Sequence, residues 1–183
     1  MKEYSYSVKN EFSPTLIAGK LNDLLGGEIP VVICIGTDAA IGDSVGPVCG
    51  TMLKSYKKNV FVYGSLSSTV TAKEIKQIIK FVKSVHPLEK ILVIDAAVGK
   101  EEDVGTIKIS DGPIKPGLGA EKDLPALGDV SVIAIVGART KSTFDFLSNT
   151  RLSFVYLLSK LIADGIKIYL DGENNESKAA LPV

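Results

Sequence analysis

The segment Val31–Tyr56, VVICIGTDAAIGDSVGPVCGTMLKSY, decides the fold. Its first five residues are apolar and mostly β-branched, the composition of a strand buried on both faces. Gly36 ends the run, and a loop of small residues follows that carries two carboxylates, Asp38 and Asp43. From Val45 the apolar residues fall at 45, 48, 49, 52, 53 and 56, the spacing of one helical face. Strand, glycine loop and helix form the opening unit of an α/β fold. In open sheets of that class, ligands bind in the crevice beyond the carboxyl ends of the strands, where this loop lies. A second apolar run, Ile91–Ile94, closes on Asp95 in the same way. Two strands of buried type thus each deliver an Asp to one rim.

On either side of this unit the chain keeps alternating. Pro14–Leu25 has the look of a short helix ended by Gly26-Gly27. Residues 1–28 read as a lead-in to a single domain spanning 29–170. Val60–Tyr63 is a short strand closed by Gly64. Thr71-Ala-Lys-Glu74 has capping-box form, and the helix it opens carries Ile75, Ile78, Ile79, Val82 and Val85 before Pro87. Val104–Ser110 alternates, so one of its faces is expected to be wet or to lie at a sheet edge. Val130–Val136 is a further apolar strand. A last helix is expected from about Thr150 to Ala163, stopped by Gly165, with residues 171–183 a polar tail disordered at its end. The pattern implies a three-layer α/β/α sandwich with a five-stranded, mostly parallel sheet. Asp111–Asp129, rich in Gly and Pro, is too long for a plain connector. It is expected to line the same rim as the two aspartates.

Composition narrows the function. The chain has 183 residues, 45% hydrophobic, with 21 basic and 21 acidic side chains. Lacking a basic cluster, it is not expected to bind nucleic acid. Its polar N-terminus and the absence of a span-length apolar run argue against a signal peptide or a membrane anchor. Cys34 lies within the first strand and Cys49 on the apolar face of the first helix. Both read as buried thiols of a reducing, cytoplasmic compartment rather than a disulfide or metal pair. The one His, His86, enters its strand from the amino end, opposite the crevice, and suits a second-face or surface role. No metal and no cofactor are expected, because no N/S ligand set has the usual spacing.

The chemistry rests on the carboxylates. Asp43 alone reads equally well as a helix N-cap. Asp95 ends a buried strand with no helix to cap and requires a partner. If both face one crevice, each raises the other's affinity for protons, and the pair can share one as base and acid around a water. Asp38 and Asp111 also suit turns. Arg151 falls in the first turn of the last helix, where the dipole disfavours a cation. A partner such as Asp145, an anion in the crevice, or simple exposure would each account for it. Gly36, Thr37, Asp38, Asp111, Lys115, Gly117 and Arg151 are the candidates for substrate contact, with Lys115 or Lys122 meeting acidic side chains.

The pieces IGTDAAIGDSVGP (35–47), HPLEKILVIDAAVG (86–99), GTIKISDGPIKPGLGAEKDLPALGD (105–129) and NTRLS (149–153) together resemble the YyaC-type sporulation proteins over about residues 30–165. That family in turn resembles the germination protease, which degrades small acid-soluble spore proteins, and the hydrogenase maturation proteases. Asp43-Ser-Val-Gly-Pro47, Ile94-Asp95-Ala96 and Ile109–Gly117 match motifs of the germination protease. The resemblance implies that Asp43 and Asp95 are the catalytic pair of an endopeptidase in a spore-forming cell, with spore proteins as substrates. It also implies an antiparallel fourth strand. No His follows Asp95, so the nickel recognition of the maturation proteases is not expected. Two alternatives stand beside this reading: a non-catalytic module that binds spore proteins or peptides, and a hydrolase of non-peptide amides.

Overall fold

The computed structural model describes residues 2–56, 60–115, 125–139 and 150–179 (of 173–179, the backbone only). Its strands are β1 (Glu3–Ser7), β2 (Val31–Cys34), β3 (Val62–Tyr63), β4 (Ile91–Gly99), β5 (Thr106–Asp111) and β6 (Val130–Ala138). The helices are α1 (Ser13–Leu25), α2 (Val45–Lys54), α3 (Ile75–Val85) and α4 (Leu152–Ala179), with 3₁₀ turns at Ile41–Asp43 and Glu101–Asp103. One six-stranded sheet has the order β1-β5-β6-β4-β2-β3. β3, β2, β4 and β6 run parallel, while β5 runs against both β6 and β1. The antiparallel fourth strand expected from the resemblance is therefore present as β5.

Each strand face packs a different layer. Val32, Cys34, Leu92, Ile94, Ile107, Ile109, Val130 and Val132 point to one side, where α1, α2 and α4 cover them. Val31, Ile33, Ile91 and Val93 point to the other and meet Ile75 and Val82 of α3. The result is a three-layer α/β/α sandwich, as the alternating pattern requires. Cys34 and Cys49 are both free thiols within the larger core.

Local chemistry explains the helix ends. Pro14 sits in the first turn of α1, and Gly26 closes it in the left-handed conformation, φ 65°, with its N–H on Asn22 O. Glu74 accepts from the Thr71 N–H at 2.9 Å, one half of a capping box, but the Thr71 hydroxyl also donates to Glu74 and the Glu74 N–H goes to Thr71 O, so the other half is not made. Regular helix begins only at Ile75.

Four expectations are corrected. The sheet has six strands, not five, because residues 3–7 of the expected lead-in pair with β5 over five positions. Of the two alternatives for the alternating strand, the edge is thus ruled out and the wetter face holds, with Thr106 and Lys108 half-buried opposite buried Ile107 and Ile109; Lys108 is met by Glu3 of β1 and by Asp103. The last helix does not stop at Gly165. It runs to Ala179, through much of the expected tail, because Gly165 is an interhelical contact: a Cβ there would lie 2.6 Å from Ile17 Cγ2. β4 does not end at Asp95 but continues four residues to Gly99. Among the described residues no helix is long and apolar enough to cross a membrane.

Candidate functional site

A step in the sheet builds the site. β2 pairs with β4 only as far as Cys34 opposite Ile94, the Ile35 N–H closing the ladder on Ile94 O at 2.8 Å. β4 and β6 continue side by side to Gly99 and Ala138. Asp95 is therefore the first residue of β4 beyond the end of β2, in mid-strand toward β6 and at a strand terminus toward β2. This is how a residue inside a strand reaches the crevice. Its neighbours Val93, Ile35 and Ile133 are apolar, and it is 8% exposed.

Gly36 turns the chain out of β2. Its φ is 134°, and a Cβ would lie 2.0 Å from Asp43 O, so only glycine lets the returning loop come this close. The loop is cinched by the Thr37 N–H, which donates to both the carbonyl and Oδ2 of Asp43, each at 3.1 Å. Asp43 is thus no N-cap. Ser44 holds that position, and no side chain caps α2. The Asp43 carboxylate is instead fixed, partly buried, beside β4.

The electrostatics follow from this placement. Burial pushes Asp43 up to about 6, against the opposing Thr37 hydrogen bond. Burial, then the neighbouring Asp43 charge, pushes Asp95 up to about 8, with the Ala96 N–H on Oδ1 (2.8 Å) pulling the other way. The two carboxyls interact and titrate as a pair. Of the two, Asp95 keeps its proton to the higher pH.

The other expected residues divide. Gly36 and Thr37 both lie against Asp43. Asp38 is exposed, and the tight bend is closed by Thr37 Oγ1 on the Ala39 N–H rather than by Asp38. Arg151 is exposed just before α4, its carbonyl accepting from Phe154 and Val155 N–H. It lies at the carboxyl rim, because α4 passes Val45 at Ser159 and the far rim, at Glu28, by Tyr169. It is not among the groups that shift either Asp. Gly117, Lys122 and Asp145 lie outside the described residues.

Asp111 and Lys115 are not on this rim. β5 runs antiparallel, so its carboxyl end lies beside the amino ends of β4 and β6, with Asp111 opposite Val130. The stem of the Gly/Pro segment, Gly112–Ile114 against Leu127–Asp129, hydrogen-bonds there, and Asp129 Oδ2 accepts from the Ile91 N–H at 2.8 Å. The expectation that this segment springs from the aspartate rim is corrected by strand direction alone. His86 does lie at the amino end, as expected, but it is buried rather than on the surface. It is 4% exposed, its Nε2 lies 2.8 Å from Tyr63 OH, and the Phe61 ring lies alongside.

Sequence reasoning missed the wall above the aspartates, Ala96–Gly99, and Arg139, which follows β6 at the carboxyl rim and donates its N–H to Gly99 O. The apolar continuation Ala-Ala-Val after Asp95 was the available signal. Among the described residues no three His, Cys, Asp or Glu side chains are grouped to hold a metal. A separate open groove of about 630 Å³, lined by Val48, Met52, Leu66, Leu152 and Tyr156 among others, includes neither aspartate.

Fold and rim define an α/β sandwich in which two aspartates, one in the loop after β2 and one within β4, lie close enough to interact. The chain belongs to the family described as "Protein of unknown function (DUF1256)", which it matches over residues 2–165. It is similar to the uncharacterized protein YyaC of Bacillus subtilis (strain 168), 38% identical over 155 residues that cover 84% of this chain and 75% of that one. Among solved structures it aligns with the NiFe hydrogenase maturation protease HycI from Thermococcus kodakarensis KOD1. That match has a TM-score of 0.47 and 20% identity over 81% of this chain and 99% of the other.

Proposed function

We propose that this protein is an endopeptidase that activates water between Asp43 and Asp95. One observation supports the reading: two carboxyls interact beyond the end of β2, with proton affinities raised to different degrees, to about 6 and about 8. Environments that separate two like groups in this way assign the base and the acid. Near neutral pH, Asp43 takes a proton from water as its oxygen attacks the amide carbon, and Asp95 gives its proton to the carbonyl oxygen. The tetrahedral gem-diol collapses as the proton on Asp43 passes to the leaving nitrogen and one diol hydroxyl returns its proton to Asp95, which regenerates both groups. Gly36 and Thr37 hold Asp43 in place without themselves titrating.

The substrate class follows from the sequence resemblance to the germination protease: small acid-soluble spore proteins, met in the cytoplasm of a spore-forming cell. The test is incubation of the purified protein with acid-soluble spore protein extract across pH 5–9, with Asp95→Asn in parallel. Cleavage by the wild type and its loss in the variant are expected. If the wild type cuts nothing yet binds an extract protein, the non-catalytic binding module becomes the better account.

A further inference from the structure

The step that exposes Asp95 also leaves a stretch of β4 with no strand partner on its β2 side among the described residues. On β4, Lys90 O and Ile94 O accept from Val31 and Ile35 N–H of β2, so even-numbered residues turn their main chain toward β2. Ile91 O and Gly99 O accept from Asp129 and Arg139 N–H, so odd-numbered residues turn toward β6. Ala96 and Val98 therefore direct their N–H and C=O toward β2, which has already ended at Cys34. Among the described residues no strand takes its place. The Ala96 N–H is held by the carboxylate of its neighbour Asp95. The stretch Ala96–Gly99 is partly exposed, in contrast to the buried Ile91–Asp95.

We infer that Ala96–Val98 is the docking edge for substrate, which binds as an extended polypeptide strand added to β4. This rests on the peptidase reading and names the form in which its substrate enters. Two N–H and two C=O groups at strand spacing are matched in full by the main chain of another extended segment. A small amide could satisfy only one or two of them. An added strand lies roughly 4.8 Å from β4, and Asp95 stands off the sheet face at its start, so a carbonyl of that strand passes beside the carboxyl pair. Binding through main chain makes recognition tolerant of sequence. It also requires an unfolded or locally extended target, since a folded helix presents no free main-chain groups. As the incoming strand approaches, its carbonyl competes with Asp95 Oδ1 for the Ala96 N–H, which frees that carboxyl oxygen for chemistry.

The experiment uses full-length, isotope-labelled protein and a pool of random-sequence linear dodecapeptides, with a fully N-methylated pool as comparison. The amide resonances of Ala96 and Val98 are expected to shift with the first pool and not with the second. Val98→Pro removes an N–H that faces the open side and breaks no bond to β6. It should weaken peptide binding about tenfold, as loss of one desolvated main-chain hydrogen bond does. Val98→Thr, which keeps the N–H, should bind as the wild type does. Unmoved Ala96 and Val98 amides, or equal shifts with the N-methylated pool, would overturn the inference. Asp95→Asn separates the two readings. If peptide pairs with the edge but spore proteins are never cut, the peptidase reading fails and the docking edge stands. If spore proteins are cut at the wild-type rate by Val98→Pro, the edge fails and the peptidase reading stands.

Discussion

Asp95 costs the folded protein stability in its charged form. Its pKa rises from 3.8 to about 8 on folding, a penalty on the charged form of up to about 6 kcal/mol. Because the folded state holds a proton that the unfolded chain releases, stability declines as pH rises from about 4 to about 8 and levels off above that. Asp43 adds a smaller decline between about 4 and 6. Thermal melts from pH 5 to 9 should show this fall in the wild type and a flatter profile in Asp95→Asn, the variant being the more stable at pH 9. The same variant should lose at least about 100-fold in cleavage rate, as removal of a general acid or base does. The wild-type rate should be bell-shaped, with limbs near pH 6 and 8. Gly36→Ala tests the loop around Asp43, since its methyl would collide with Asp43 O at 2.0 Å. A loss of about 2–4 kcal/mol in urea unfolding is expected, and with it the raised proton affinity of Asp43.

At the level of the element, α4 shows how packing overrides a local rule. Glycine inside a helix costs about 1 kcal/mol against alanine, and by that measure Gly165 is a stop signal. In the structure Ile17 of α1 lies where its Cβ would be, and Pro14 O is 3.0 Å away. Overpacking costs typically 1–3 kcal/mol, so the clash outweighs the propensity gain. Gly165→Ala should therefore destabilise the protein by about 1–2 kcal/mol in denaturant titrations, the reverse of what helix propensity alone gives. β4 makes the complementary case. Its extension past Asp95 costs the sheet nothing on the β6 side, where register persists to Gly99 through one irregularity between Ala97 and Val98.

For the whole molecule, the contribution of residues 3–7 is the main departure from the sequence reading. β1 covers the outer edge of β5, and the turn that follows it is tied down by the Ser13 hydroxyl on Ser7 O at 2.7 Å and the Val8 N–H on Gly105 O at 2.8 Å. Without β1, β5 would present an unpaired edge, the feature through which sheets associate. A variant lacking residues 1–8 should melt lower and form oligomers in size-exclusion chromatography. Its two aspartates, three strands (Asp95 on β4) and four strands (Asp43 after β2) along the sheet from β1, should retain the pH dependence of the parent.

The sequence by itself determined the layers, the parallel core and the pair of aspartates, because each is written in local pattern. β-branched runs at Val31–Ile35, Ile91–Ile94 and Val130–Val136 can be buried only as central strands, and a loop after such a strand can lie only at its carboxyl end. Tertiary structure decided what depends on a partner distant in the chain. Glu3–Ser7 is polar enough to read as a tail until β5 pairs with it. Gly165 reads as a terminator until Ile17 fills the space beside it. Asp111 and Lys115 change rims because β5 reverses direction, a fact held in no single segment. Asp43 reads as a helix cap until the Thr37 N–H claims its carboxylate. Among the described residues Ala96 and Val98 have no strand partner on the β2 side, because two strands that start in register stop at different heights.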